Sequence, residues 1–232
     1  MNLANLVNPA NPLSKRLIIA IDGPSGAGKG TVARVVAGRL DYRHVDTGAM
    51  YRAVAWKVIH DGEDLEDEAA VTAVAERAVF ALGGGRVLID GHDVTEAIRT
   101  PELDQAAARV ARKASVRDVL VRRQRDMGRG GGVVMEGRDI GTVVFPAADV
   151  KIFLDASPEE RARRRAADPA HTSGRSGRVD DVATALAARD ALDRSRKASP
   201  LTIADDAVQI ETTGVPIDEV VARVLAVVEA RK

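Results

Sequence analysis

Leu17-Ile18-Ile19-Ala20-Ile21 is a continuous apolar run that stops at Asp22-Gly23-Pro24. Its length, and the Gly and Pro that bound it, predict a strand buried on both faces. Across the glycine-rich turn that follows, Ala33, Val36, Ala37 and Leu40 fall at helical spacing, predicting a helix over 31–40. Strand, glycine loop and helix together are the opening of an α/β unit. Further helices are predicted over 47–60 and over 65–82, the second rich in Ala, Val and Glu and ended by Gly83-Gly84-Gly85. Arg86 to Gly91 reads as a short strand between turn residues, part of a hairpin or small sheet. Thr100-Pro101-Glu102 starts a helix, with Thr as N-cap and Pro at the first helical position. That helical pattern runs to about Met127, with a break near Ala114-Ser115, until Gly128-Arg129-Gly130-Gly131-Gly132 interrupts it.

Val133 to Met135 and Val150 to Leu154 are two more strand candidates. The second leads into Ser157-Pro158-Glu159-Glu160, where Ser157 and Glu160 have the spacing of a capping box. A helix over 180–197, a strand over 207–211 and an amphipathic helix over 216–231 complete the pattern, the last with Ile217, Val220, Val221, Val224 and Val228 on one face. Alternating strands and helices predict an α/β fold with a mostly parallel sheet covered by helices on both faces. The stretch from Gly83 to about Met127 breaks the alternation and reads as an inserted subdomain. The expected layout is a loose tail over 1–16, a core in three parts (17–82, 129–167 and 180–232), the insert over 83–128, and a polar loop over 168–179.

The 232 residues suffice for one core with an elaboration. Aromatics are only 3%, so the core leans on Ala, Val, Leu and Ile. Lys plus Arg and Asp plus Glu are 34 each, and this zero net charge argues against a general nucleic-acid coat protein. There is no cysteine, which excludes disulfides, thiolate nucleophiles and Cys-built metal sites. His44, His60, His92 and His171 are scattered, with no His-Glu-x-x-His pair, so no metal site built on protein ligands is expected. No apolar run reaches 18 residues and the first 15 have no signal-peptide pattern, so a cytoplasmic protein without membrane contact is expected. The cations are 27 Arg against 7 Lys. Either a genome-wide codon bias or bidentate anion recognition accounts for that split.

The sharpest motif is Gly23-Pro24-Ser25-Gly26-Ala27-Gly28-Lys29-Gly30-Thr31. It follows a predicted buried strand and precedes a helix, as a phosphate-binding loop must. Its glycines let successive backbone N–H groups face phosphate oxygens. The helix N-terminus adds about half a positive charge, and Lys29 adds a full one. Gly30 stands where most such loops have the magnesium-binding Ser or Thr, so Mg²⁺ is expected to be held chiefly by phosphate oxygens and waters. A serine-hydrolase elbow around Ser25 would need Gly at 27, where Ala27 stands. Asn-Lys-x-Asp, the guanine-reading signature, is absent from the chain.

The loop resembles that of the nucleoside monophosphate kinases. Three further stretches narrow the likeness: Asp46 to Arg52, Glu136 to Pro146 and Lys151 to Ser157. With Ile98-Arg99-Thr100 and the helix from Val116 to Arg125, the chain resembles bacterial cytidylate kinases from residue 17 to about 228. That resemblance implies ATP on residues Gly23 to Thr31, with Mg²⁺, and transfer of the γ-phosphoryl group to CMP or dCMP. It implies that Arg52 and Arg138 clamp the acceptor phosphate and that Arg117 and Asp139 read the cytosine. It implies that Thr47, Tyr51, Arg189, Asp193 and Arg196 line the nucleotide or the transferring phosphate. Lys29, Arg138, Arg189 and Arg196 are then the catalytic set. The insert becomes the acceptor-binding lobe, and residues 161–179 an Arg-bearing lid in which Arg161, Arg163, Arg164 and Arg165 are not all expected to reach the triphosphate. The chain departs from the family at Ala108, where a base-contacting serine is common. A monomer acting on small-molecule nucleotides is expected.

Two other readings stay open at this point. One is a kinase of another small acceptor on the same core: UMP, AMP, or a metabolite such as shikimate or gluconate. A 45-residue insert, with Arg52, Arg117 and Arg138 drawn from distant segments, favours an acceptor that already carries phosphate. The other is an Arg-rich RNA-binding module. Zero net charge and the want of an aromatic stacking platform count against it.

Overall fold

The computed structural model describes residues 16–168, 179–196 and 199–231. The tail expected over 1–16 lies outside them except for Arg16, which donates to the Asp41 carbonyl. The loop expected over 168–179 lies outside them except for its two end residues.

Five parallel strands make the central sheet: β1 (Ile18–Asp22), β2 (Arg43–Asp46), β6 (Val133–Gly137), β7 (Val150–Asp155) and β8 (Val208–Glu211), in the order β2-β6-β1-β7-β8. The apolar run at β1 divides between two cores. Ile19 and Ile21 pack with Val134 and Ile152 against α1 (Lys29–Leu40) and the last helix, α8 (Ile217–Glu229). Ala20 faces the other way, with Val133, Met135 and Val121 of α5 (Ala114–Gly128). Both faces are therefore covered, as expected of a βα-alternating chain.

The misfit segment is a separate layer. Strands β3 (Phe80–Gly83), β4 (Arg86–Ile89) and β5 (His92–Asp93) form an antiparallel sheet. Its helical side joins α2 (Thr47–His60), α3 (Glu68–Arg77), α4 (Pro101–Val110) and α5 around Met50, Val54, Val71, Val110 and Leu120. The expected helix over 65–82 is thus a helix that ends at Arg77 and a strand. Gly83-Gly84-Gly85 is the hairpin turn of that strand rather than a helix stop, with Gly84 and Gly85 at positive φ. Sheet pairing across Phe80↔Ile89 draws the small layer back to include residues before Gly83. The break between α4 and α5 falls at residues 111–113, just before the expected point.

Caps follow the sequence where the partners are local. The Thr100 hydroxyl accepts from the Leu103 amide, ahead of Pro101. Helix α6 (Pro158–Ala166) has only half of its expected capping box. Ser157 Oγ accepts from the Glu160 amide at 3.2 Å, but the Glu160 carboxylate turns to Arg163 and Arg164. Charge-assisted bonds to guanidinium outcompete the return bond to a neutral amide, and the Ser157 N–H goes to Thr213 Oγ1 instead. Helix α7 (Val179–Ser195) packs against α6.

The sheet aims every strand end at one edge. Gly23, the residue after β1, has φ +147°, and a Cβ there would lie 2.0 Å from the Leu154 carbonyl oxygen of β7. Only glycine lets the chain leave β1 so close to its neighbour. Gly23→Ala is therefore expected to lower stability by on the order of 3 kcal/mol. Urea unfolding followed by circular dichroism checks this, and an unchanged midpoint would contradict the close approach.

Candidate functional site

The loop from Gly23 to Gly28 wraps the N-terminus of α1. Gly28, at φ 89°, is its N-cap and makes no side-chain bond, so the first helical amides are left for a ligand. Lys29 Nζ donates to the Pro24 carbonyl at 2.7 Å, which folds the ammonium back over the loop. Burial, and then the Arg138 guanidinium, push the Lys29 amine well below its usual range. A cation held this way gains by meeting an anion. Ser25, Gly26, Gly28, Lys29, Gly30 and Thr31 line a cleft of about 510 Å³. Ala27 points instead into the hydrophobic core, and Gly23 and Pro24 sit beneath the loop.

A Cβ at Gly30 would lie 3.2 Å from Glu136 Oε1. A carboxylate at the end of β6 thus fills the space where a Ser or Thr side chain would stand. Glu136 is itself held at 2.9 Å by His44 Nε2.

The other side of the cleft is built from the N-terminus of α2, from α5 and from the turn after β6. Asp46 caps α2 through the Ala49 amide at 2.9 Å and receives Arg52 Nη2 at 2.9 Å. Arg52, with the help of a nearby amide bond, holds the Asp46 carboxyl below its ordinary value against the effect of burial. Thr47 Oγ1 donates to the Glu136 carbonyl at 2.7 Å, tying α2 to β6. Deepest in the cleft, Arg117 forms a buried salt bridge with Asp139. The Arg117 guanidinium lies 5.5 Å from the Tyr51 ring centre, and burial pushes the Tyr51 phenol up to about 12. Tyr51 is therefore a neutral wall at any working pH. Ala108 lines the same end of the cleft with Ala107 and Ala111, without a hydroxyl.

From α7 and the segment after it, Asp193 receives Arg138 Nε at 2.9 Å and also pairs with Arg196. Arg189 reaches Asp104 at 3.4 Å. Burial, reinforced by the other arginines, brings Arg189 down to about 10 although Asp104 opposes it. Burial, with Arg117 and Arg138 close by, brings Arg196 down to about 10 as well. The four arginines of α6 now separate. Arg161 is a buried brace from the Ser25 carbonyl at 3.2 Å to Asp190 at 2.5 Å. Arg163 is exposed and bonds Glu160. Arg164 and Arg165 line the cleft, the first held by Thr212 and Glu160 and the second by Asp104.

All of the motif's neighbours named from the sequence, from Thr47 to Arg196, thus reach one cleft. Asp46 and Glu136 line it too, and Asp104 and His44 pair with residues that do; none of the four was singled out. Asp46 and Glu136 sat inside quoted motifs, where their caps and pairs could have been suspected. Asp104 had no such signal, because its partners Arg52, Arg165 and Arg189 come from three distant segments. Among the described residues no group of three or more His, Asp or Glu is placed to hold a metal ion, and no helix is long and apolar enough to cross a membrane.

Comparison with known proteins points the same way. A family model described as cytidylate kinase matches residues 19–230. The chain is 48% identical over 217 residues to a cytidylate kinase of Bacillus pumilus, covering 92% of this chain and 96% of that one. It is 51% identical over 220 residues to one from Pelotomaculum thermopropionicum, covering 91% and 96% respectively. A third, from Desulforamulus reducens, is 48% identical over 223 residues, covering 95% of this chain and all of the other.

Asp104 is the shared counter-ion of three guanidiniums. Asp104→Asn leaves them facing one another, and breaking a buried pair costs about 3 kcal/mol or more. A fall in Tm of roughly 10 °C is expected. Added sulfate should restore more of the lost Tm in the variant than it adds to the parent, because an anion binds more tightly to arginines that have lost their counter-ion. Differential scanning calorimetry with and without sulfate reads both effects, and equal sulfate responses would contradict this role.

Proposed function

The chain belongs to the cytidylate kinase family, and from that membership we propose how this cleft transfers the γ-phosphoryl group of ATP to CMP or dCMP, giving CDP or dCDP and ADP. The observation that carries the reading is the joining of two unlike sites in one cleft. A glycine cradle with Lys29 lies at one end, and a buried Arg117–Asp139 pair backed by Tyr51 lies at the other.

Phosphoryl transfer needs positioning and charge neutralisation more than covalent help. The amides of residues 25–31 and Lys29 hold the donor phosphates. Arg52 and Arg138 fork the acceptor phosphate, and each guanidinium can meet two oxygens at once. Arg189 and Arg196, joined by Arg164 and Arg165, neutralise the group in flight. Thr47 and Asp193 line the acceptor. Arg52, Arg138, Arg165 and Arg189 are paired with Asp46, Asp193 and Asp104, carboxylates that fix the guanidinium forks in place for phosphate.

Base choice follows from hydrogen-bond polarity. Cytosine donates from its 4-amino group and accepts at N3 and O2. Asp139 accepts the former and Arg117 donates to the latter. Uracil offers a carbonyl where Asp139 needs a donor, which leaves buried polar groups unpaired. Ala108 supplies no hydroxyl, so discrimination falls to Arg117 and Asp139 alone.

Magnesium fits the residues present. Glu136 beside Gly30, and the hydroxyl of Thr31, are hard oxygen groups that would help hold a hydrated Mg²⁺ beside the donor phosphates. When bound it would lower the negative charge on the donor phosphates. The reading also takes the monomer as the active unit, since one chain supplies every group named, and the cytoplasm as its place of action.

A coupled ADP-release assay across monophosphates tests this. CMP and dCMP are expected to exceed UMP and AMP in kcat/KM by about a hundredfold or more. Lys29→Ala and Arg138→Ala are each expected to lower kcat by about a thousandfold in folded protein. Equal rates with UMP would remove Arg117 and Asp139 from base recognition. Parent rates in either variant would overturn the transfer mechanism.

A further inference from the structure

The turn that carries Asp139 has a capping problem. Residues Ile140–Val144 form a π-helical turn with Asp139 at its N-cap, and Asp139 makes no side-chain cap bond. Its carboxylate is taken by Arg117. The first amides of such a turn need an acceptor from elsewhere.

Asp22 supplies it. Asp22 ends β1, and the parallel register sets it beside Gly137, two residues before Asp139. Its Oδ1 accepts from the Ile140 amide at 2.9 Å, and its Oδ2 accepts from the Gly141 amide at 2.7 Å. Both oxygens are committed to successive amides, which hold an anion as a concave pair. The next residue in the chain, Gly23, begins the donor loop. Asp22 thus joins the donor cradle to the acceptor-reading turn.

We propose that Asp22 is a positioning residue for the transfer: by capping the turn from another strand, it frees the Asp139 carboxylate for the pyrimidine base and sets the aim of Arg138. The inference rests on the cytidylate kinase reading above and adds to it a residue that touches neither substrate.

The capping needs the ionised form. A protonated carboxyl would turn an O–H toward an amide N–H. The surroundings of Asp22 work against ionisation. It is buried, and burial pushes it up to about 6 although two amides stabilise the anion. The charged groups around it are Asp139 on the turn, Lys29 on α1, Arg138 after β6, and the Lys151 stem of β7, which packs on Gly141 beside Asp22 Oδ2. Glu136 shares the field at Lys29. The folded value lies above the ordinary 3.8, so the folded protein holds this proton more tightly than the unfolded chain. Its ionisation therefore lowers stability as pH rises through about 6. A group that disfavours its own ionised state, yet is fitted with two donors for that state, serves the site rather than the fold.

The test is steady-state kinetics of the parent and Asp22→Asn between pH 5 and 8. Expected is a tenfold or greater rise in KM for CMP, a fall in the CMP-over-UMP preference, and less than a threefold change in KM for ATP. The ratio of parent to variant kcat/KM for CMP should drop about tenfold from pH 7 to pH 5, because a group of pKa about 6 is one-tenth ionised at pH 5. The phosphate of CMP titrates in both enzymes and cancels in that ratio. A ratio flat with pH, or equal rises in both KM values, would overturn the proposal. If the variant does not fold, amide ¹⁵N shifts in the parent decide: Ile140 and Gly141 should titrate together near pH 6, and their failure to do so would overturn it. A parent inactive on CMP would instead sink the kinase reading.

Discussion

A guanidinium taken out of water must meet an anion, and the whole cleft is arranged around that requirement. Arg52, Arg117, Arg138, Arg189 and Arg196 converge on one cleft. Asp46, Asp104, Asp139 and Asp193 hold them. The pairs preorganise the guanidinium forks and limit the cost of leaving five cations together.

The fold serves the pairing by bringing remote segments to one sheet edge. β1 and β6 run parallel and in register, so Gly23 and Arg138 leave the sheet side by side. The antiparallel layer presents α2, α4 and α5 from one side, and α6 with α7 closes from another. Two structural arginines make the division of labour visible. Arg161 and Arg164 stand three residues apart on α6, yet Arg161 braces the loop at the Ser25 carbonyl while Arg164 lines the cleft.

Much of this was legible in the residues. The apolar run at 17–21, the glycine loop and the Thr100 cap are local signals, and each stands where its chemistry put it. The motif arginines were legible through the family resemblance rather than through periodicity. What escaped was non-local. β2 is four residues with one buried side chain, Val45, and its strand character comes from pairing with β6. Phe80–Gly83 carried helical spacing, and its hairpin partner decided otherwise. Asp104 and Asp22 had no motif at all. Their meaning comes from partners more than 50 residues away in sequence, Arg52 and Arg165 for the first and Ile140 and Gly141 for the second, and no single-chain pattern records such pairs.

A crystal structure with CMP bound tests the central claim most directly. The account predicts Asp139 within hydrogen-bonding distance of the cytosine 4-amino group, Arg117 on N3 or O2, and the phosphate forked by Arg52 and Arg138 in place of their present carboxylates. CMP bound with Arg117 and Asp139 still closed on each other, and the base elsewhere, would contradict it.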